Sequence, residues 1–331
     1  MTQSTRVAGP VLNQGQRKLR TESLSAQFKK QLPFHVFVWL GLLFLFVFNY
    51  LPMFGILMAF KEYKITSGIS GIFTSDWAGL TYFKEFYHDY NFSNLIRNTI
   101  AISLLKVIFS FPVPILLAIM LNEVRKMAFK RVVQTVSYLP HFISWVVVTG
   151  AAYAFFSTEV GVINELMLDW GWISKPLDLL TNPDSFWGLA VGTAIWKEAG
   201  WWTIIFLAAI AGIDPSQYEA AEIDGAGRLQ RIWHVTLPGL KSPITVVLIL
   251  TIGSMLGGGL VGSNFEQSFL LGNALNSDKS AIIQTYAFES GLAKGRYAFA
   301  TAIDLMQSVI SLFLVLTSNM IAKRTSGNGL F

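Results

Sequence analysis

Long apolar runs alternate with polar, charge-bearing segments along the chain. Six runs reach the length of about 20 residues that a bilayer requires. They are Phe34–Ala59, Leu95–Leu121, Val132–Ser157, Phe186–Gly212, Ile244–Gly262 and Ala300–Ile321. Backbone in lipid must satisfy its own hydrogen bonds, so each run is predicted to be a helix. The expected fold class is all-α: a polytopic membrane protein with six transmembrane helices. Residues 1–33 read as an N-terminal segment, 34–325 as the membrane domain and 326–331 as a tail. Several runs carry breakers: Pro52, Pro112 and Pro114, Pro140, and the run Gly257-Gly258-Gly259. Such breaks are tolerated where neighbouring helices or a cavity cover the freed groups. The first run is too long for a signal-peptide core and no small-residue cleavage site follows it, so it reads as an uncleaved span.

The loop 213–241 has its own pattern. Asp214 is placed as an N-cap, Pro215 as the first helical residue and Gln217 as the partner of a capping box. Gly225 and Gly227 are expected to end or turn that helix, because glycine enters left-handed conformations at little cost. Leu229, Ile232, Trp233 and Val235 then mark a second short helix, which Leu237-Pro238 is expected to stop. A helix–turn–helix between two spans suits a grip by another protein; an amphipathic segment lying on headgroups is the alternative. Among the other loops, 77–94 reads as a short interfacial helix and 158–185 as a folded loop. The longest, 263–299, reads as a re-entrant or partner-touching segment.

Composition agrees with a membrane protein. Of 331 residues, 53% are hydrophobic and only 14% charged, against about a quarter charged in soluble domains. There are no cysteines, so thiol nucleophiles, thiolate metal sites and disulfides are excluded. The basic balance does not point to nucleic acid, because the cations gather in the loops of one membrane face. With the N-terminus inside, the inner segments hold fifteen of the 25 basic residues and the outer loops hold seven. The positive-inside rule then places both termini and the loop 213–241 in the cytoplasm. No internal repeat is evident.

Glu219-Ala220-Ala221, Gly225 and Leu237-Pro238 stand at the spacings of the cytoplasmic signature loop of ABC-importer permeases. Val235 stands where that loop has Ile. Further stretches resemble the oligosaccharide branch of the family: Asn49-Tyr50-Leu51-Pro52, Leu121-Asn122-Glu123-Val124, Tyr138-Leu139-Pro140-His141 and Tyr297-Ala298-Phe299-Ala300. Within that branch the likeness is to alginate-oligosaccharide importers, which implies an acidic cargo. Asp304 departs from the pattern, where a small residue is expected. The resemblance implies a bacterial inner-membrane importer with a second permease subunit, two ATPase subunits and an extracytoplasmic binding protein. It assigns Glu219, Ala220, Ala221, Asp224, Gly225, Leu237 and Pro238 to ATPase coupling. ATP and Mg would sit on the partner ATPases. This chain has no phosphate-binding Gly-x-x-x-x-Gly-Lys-[Ser/Thr] motif, so it is expected to bind no cofactor and to be no enzyme.

Lys106, Lys197, Glu198 and Asp304 lie inside predicted spans. Charge there costs about 2.5–3.5 kcal/mol on insertion scales, so such groups face a cavity or a partner. Lys197 and Glu198, flanked by Trp196, Trp201 and Trp202, are candidates for a substrate pathway, with Asp304. The alternative is that Lys197 balances a carboxylate such as Asp304 between helices, since adjacent helix positions do not face each other. The tryptophans serve packing or an interfacial belt in that reading. His141 reads as a helix-packing polar contact. A competing function is an ion-coupled secondary transporter using Lys197, Glu198 and Asp304 as a relay. Nothing resembles a catalytic set or a metal cluster.

Overall fold

The structure is a computed structural model that describes residues 24–257, 264–327 and 329–330. Residues up to Phe54 form one compact unit and Gly55–Phe331 a second. In the first, the helix Leu24–Leu45 passes into a π-turn at Phe46–Tyr50 and ends in Leu51–Met53. The π-turn lies just before Pro52, which lacks the N–H that the ladder would use. Phe34, Phe37, Trp39, Leu43 and Phe48 are all exposed. A helix apolar on every side is built for lipid or for other membrane helices.

The second unit is helical among its described residues, apart from an isolated bridge between Lys61 and Trp77. Three of its helices are long and apolar enough to cross a membrane unaided: Phe92–Glu123, Pro183–Ala211 and Tyr297–Arg324. Two bent pairs make up the rest. The run predicted as one span over Val132–Ser157 is instead Met127–Phe142 followed by Trp145–Phe156, with an angle of 104° between them. Leu139–Phe142 tightens to a 3-10 turn around Pro140, and Ile143 and Ser144 are extended. The Ser144 hydroxyl then caps the second half, accepting from the Val147 N–H at 3.4 Å. The other pair is Arg228–Gly239 and Lys241–Gly253, bent by 57°. The fifth predicted span therefore starts at Lys241. Gly258 and Gly259, two of its expected breakers, lie outside the described residues.

Small residues let these helices close on each other. A Cβ at Gly200 would stand 1.9 Å from the Ser137 carbonyl oxygen, so Tyr138 and the fourth-span helix meet backbone to backbone. Gly253 likewise receives Val315. One buried cluster joins Ile102, Ala152, Phe186, Ala190, Leu271 and Ile282. It draws residues of the 263–299 loop between the long helices.

That loop is re-entrant in form. It folds as Asn264–Leu271, Ser277–Ser280 and Ile283–Phe288. The Gln267 amide donates to the Ala190 carbonyl at 2.6 Å and to the Thr193 hydroxyl at 2.5 Å, well inside the fourth-span helix. The loop 158–185 is folded too. Its helix Val162–Asp169 carries Asn164, whose amide donates to Phe156, Ser157 and Leu177 carbonyls and accepts from the Leu177 N–H. In 77–94 the helix is short, Thr81–Tyr87, and it buries Phe86 rather than lying free.

Candidate functional site

The signature loop begins where the fourth-span helix stops. The Asp214 carboxylate accepts from the Ser216 N–H at 2.9 Å. That backbone bond, with the Ser216 hydroxyl, holds its pKa below the usual carboxylate range. The helix Pro215–Ile223 follows with Pro215 in its first turn. Gln217 does not close the expected box; only its backbone N–H returns to the Asp214 carbonyl, at 3.1 Å. The cap is made one residue earlier, at Ser216.

The turn is a Schellman motif. The Gly225 N–H reaches the Glu222 carbonyl at 3.0 Å and the Ala226 N–H reaches the Ala221 carbonyl at 2.9 Å. Gly225 takes φ 78°, the left-handed conformation this motif demands. Gly227 does not share that role. At φ −67° and ψ 172° it is extended, and it opens the second helix by donating its N–H to the Gln230 side chain at 2.7 Å.

Pro238 does not stop the second helix, contrary to expectation. A π-turn over Ile232–Thr236 carries the helix through Leu237–Gly239, and the bend comes after Gly239. The wider turn absorbs the N–H that proline lacks. A Cβ at Gly239 would lie 2.5 Å from Ile213 Cδ1, so the two ends of the loop are closed on each other.

Three contacts tie the helices together. The Tyr218 and Thr236 hydroxyls bond at 3.0 Å, and Arg231 pairs with Glu222 at 3.2 Å. Arg228 pairs with Glu123 at 3.3 Å, which links the loop to the end of the second-span helix. Val235, Thr236 and Leu240 are buried beneath. Glu219, Ala220, Asp224, Gly225 and Pro238 face outward, while Ala221 and Leu237 are half-buried. Ile223 is 86% exposed, and Leu229 and Trp233 are exposed beside it. The loop is a braced helix–turn–helix that leaves Ile223, Leu229 and Trp233 exposed, with Glu219 and Asp224 also facing outward.

The Glu123–Arg228 pair is half-open, at 36% and 55% side-chain exposure. Such pairs contribute only about 0–1 kcal/mol. Its weight is positional. If the loop couples transport to an ATPase, as its resemblance to the signature loop implies, Arg228→Glu lowers uptake per ATP hydrolysed a few-fold with an unchanged melting temperature, and the swap Glu123→Arg/Arg228→Glu restores it. Equal loss in the single and double variants would remove the link from the account.

A second constellation lies at the break of the third span. Lys197, only 6% exposed, donates to the His141 carbonyl at 2.8 Å and to Glu198 Oε1 at 3.1 Å. Glu198 Oε2 lies 2.8 Å from His141 Nδ1, and the His141 ring stacks on Trp201 at 4.4 Å. Lys197 and Glu198 are thus partners despite their adjacency, because both side chains converge on His141 in the 3-10 turn, Lys197 on its carbonyl and Glu198 on its ring. Asp304 is not the partner of Lys197: it is exposed on the sixth-span helix, and no hydrogen bond or ion pair joins the two among the described residues. A cleft of about 520 Å³ opens beside the pair, lined by His141, Trp145, Lys197, Glu198, Glu266 and Phe269.

The remaining candidates disperse. Trp196 lines a separate apolar cavity with Val148, Phe155 and Leu189. Trp202 packs beside Phe206 and Ile210. The pattern of the sequence did not reveal that Lys106 Nζ donates to the Asn264 side chain at 2.6 Å, or that Asn264 in turn donates to Ser103 at 3.0 Å. Lys106 was marked by its charge, but its partner lies on a loop whose fold back between the helices leaves no periodic signal. Among the described residues no group of side chains is arranged to hold a metal.

The described residues thus form a helical membrane domain with a braced helix–turn–helix in one polar loop. The chain belongs to the family of binding-protein-dependent transport system inner membrane components, whose model matches residues 110–327. It is 45% identical to Protein LplB of Bacillus subtilis, over 88% of each chain. It is 40% identical to the polygalacturonan/rhamnogalacturonan transport system permease protein YteP of the same organism, over 95% of each. The fold matches a crystal structure of a bacterial ABC transporter that imports the acidic polysaccharide alginate. There the TM-score is 0.81 at 35% identity, over 92% of this chain and 100% of the other. A second such structure, in complex with a periplasmic protein bound to an alginate pentasaccharide, matches at TM-score 0.81 and 34% identity, over 93% and 100%. The resemblance seen in the signature loop is therefore borne out, and the secondary-transporter reading is not favoured.

Proposed function

We propose that this chain is a transmembrane permease subunit of an ATP-driven importer for acidic oligosaccharides. The observation that carries this reading is the platform at Pro215–Gly239, with Ile223, Leu229 and Trp233 exposed on a braced polar loop. A secondary transporter needs no such surface. Two ATPase subunits, holding ATP and Mg, dock there. A second permease subunit completes the pathway, and an extracytoplasmic binding protein delivers the cargo. The acidic class is supported by the fold's likeness to alginate importers and by the relative that transports polygalacturonan. Cargo passes the cleft beside Lys197 and Glu198, where Trp145 and Phe269 offer faces for sugar rings and Glu198 and Glu266 offer acceptors for hydroxyls. Trp196, Trp202 and Asp304 lie outside that cleft.

Six spans with both termini in the cytoplasm fit the charge asymmetry of the loops. Single cysteines test this without removing any native thiol. Ser280 lies in the relevant outer loop but is only 3% exposed; Ser277, exposed beside it, is the better position. A cysteine at Ser277 is expected to react with an impermeant reagent added outside, and one at Gln230 only after permeabilisation. The opposite pattern overturns the orientation.

A further inference from the structure

The helix Met127–Tyr138 opens with a dense cationic cluster. Arg125, Lys126, Lys130 and Arg131 fall within seven residues. Nearby cations are paired, Arg228 with Glu123 and Arg231 with Glu222. No ion pair or side-chain hydrogen bond among the described residues engages any of these four. The same helix carries an exposed apolar stripe, with Phe129, Val132 and Val136, continued by Leu139.

The two features lie at different depths. Glu123, just before the cluster, touches Arg228 of the signature loop, so the cations sit at the end of the bundle that bears that loop. The other end of the helix packs on Gly200, about 16 Å of helical rise from Ala211. The stripe therefore runs from the headgroup level toward the hydrocarbon. A soluble subunit reaches the cations but not Val136 or Leu139; a second membrane subunit is the competing occupant, and its loss from a charge-neutralised variant would reveal it. A lipid reaches both, with its phosphate on the cations and its chains along the stripe.

We propose that Arg125, Lys126, Lys130 and Arg131, with the stripe Phe129–Leu139, bind an acidic phospholipid of the cytoplasmic leaflet. Four cations without carboxylate partners select a net negative headgroup over a zwitterionic one, and each adds to the attraction. The long Lys and Arg stems let the charges stay at headgroup level while their methylenes cover apolar surface. Because Glu123 connects this segment to Arg228, the lipid steadies the platform from the membrane side. The leaflet assignment rests on the proposed orientation; the binding itself does not.

The test uses the assembled importer in nanodiscs of phosphatidylcholine, with and without added phosphatidylglycerol in both leaflets, so that orientation plays no part. Phosphatidylglycerol is expected to raise the melting temperature of the wild type. Each charge contributes roughly a fivefold factor in affinity, so Lys126→Gln/Lys130→Gln/Arg131→Gln should lose that rise across the accessible range of phosphatidylglycerol content. Its melting temperature in pure phosphatidylcholine should equal the wild type's. The control Lys64→Gln/Lys84→Gln/Lys175→Gln removes the same charge from the opposite loops and should keep the wild-type response. A triple variant with an unchanged response overturns the site. So does a control that loses the response equally, which makes it a net-charge effect. Loss of the ATPase subunits or of the second permease subunit from the triple variant in both lipids also overturns it, since the cluster is then a protein contact.

Discussion

Gly225→Val is expected to weaken coupling about five- to thirtyfold while leaving the membrane domain folded. Gly225 sits at φ 78°, and nothing lies within 4 Å of the position its Cβ would take. Crowding is therefore not the obstacle; the backbone conformation is. A left-handed conformation costs an L-residue about 1–2 kcal/mol, and a β-branched one pays at least that. The ratio of the presented form of the platform to its alternatives then falls about five- to thirtyfold. Uptake should drop by a similar factor, with ATP hydrolysis no longer stimulated by loaded binding protein. Gly225→Asn should retain most activity, because Asn enters the left-handed region readily. The melting temperature should be unchanged in both. Wild-type uptake by Gly225→Val would show that the turn is not needed.

The second large effect is expected at Lys197. Its ammonium is buried and shared between Glu198 and the His141 carbonyl. Lys197→Met leaves the Glu198 carboxylate without its cation, and breaking a buried pair costs about 3–5 kcal/mol. Thermal stability and assembly should fall for acidic and neutral cargo alike. Lys197→Met/Glu198→Gln should recover most of the loss, and Lys197→Met/Asp304→Asn should recover none. Selective loss of acidic cargo at unchanged stability would instead make Lys197 a direct cargo contact.

The sequence disclosed the parts of this molecule that depend on local chemistry. The apolar runs marked helices at Phe92–Glu123, Pro183–Ala211 and Tyr297–Arg324 because burial in lipid leaves no other backbone solution. Gly225 was readable because a helix followed by Gly-Ala-Gly leaves few ways to turn. What periodicity cannot show is how a helix bends or which distant group a side chain meets. Pro140 announced a break, but the 104° angle depends on how Tyr138 packs against Gly200. Pro238 looked like a stop because the π-turn that bypasses it has no residue signature. The Lys197–Glu198 pairing contradicted the rule for adjacent helix positions, since their meeting point, His141, lies on another segment.

In the proposed importer, the platform at Pro215–Gly239 transmits ATP hydrolysis to a sugar pathway. Uptake of a labelled acidic oligosaccharide into proteoliposomes holding the full importer tests it most directly. ATP inside, with loaded binding protein outside, should drive accumulation in the absence of any ion gradient, and Gly225→Val should slow it about five- to thirtyfold. Accumulation driven by a proton gradient without ATP, and indifferent to Gly225→Val, would contradict the account.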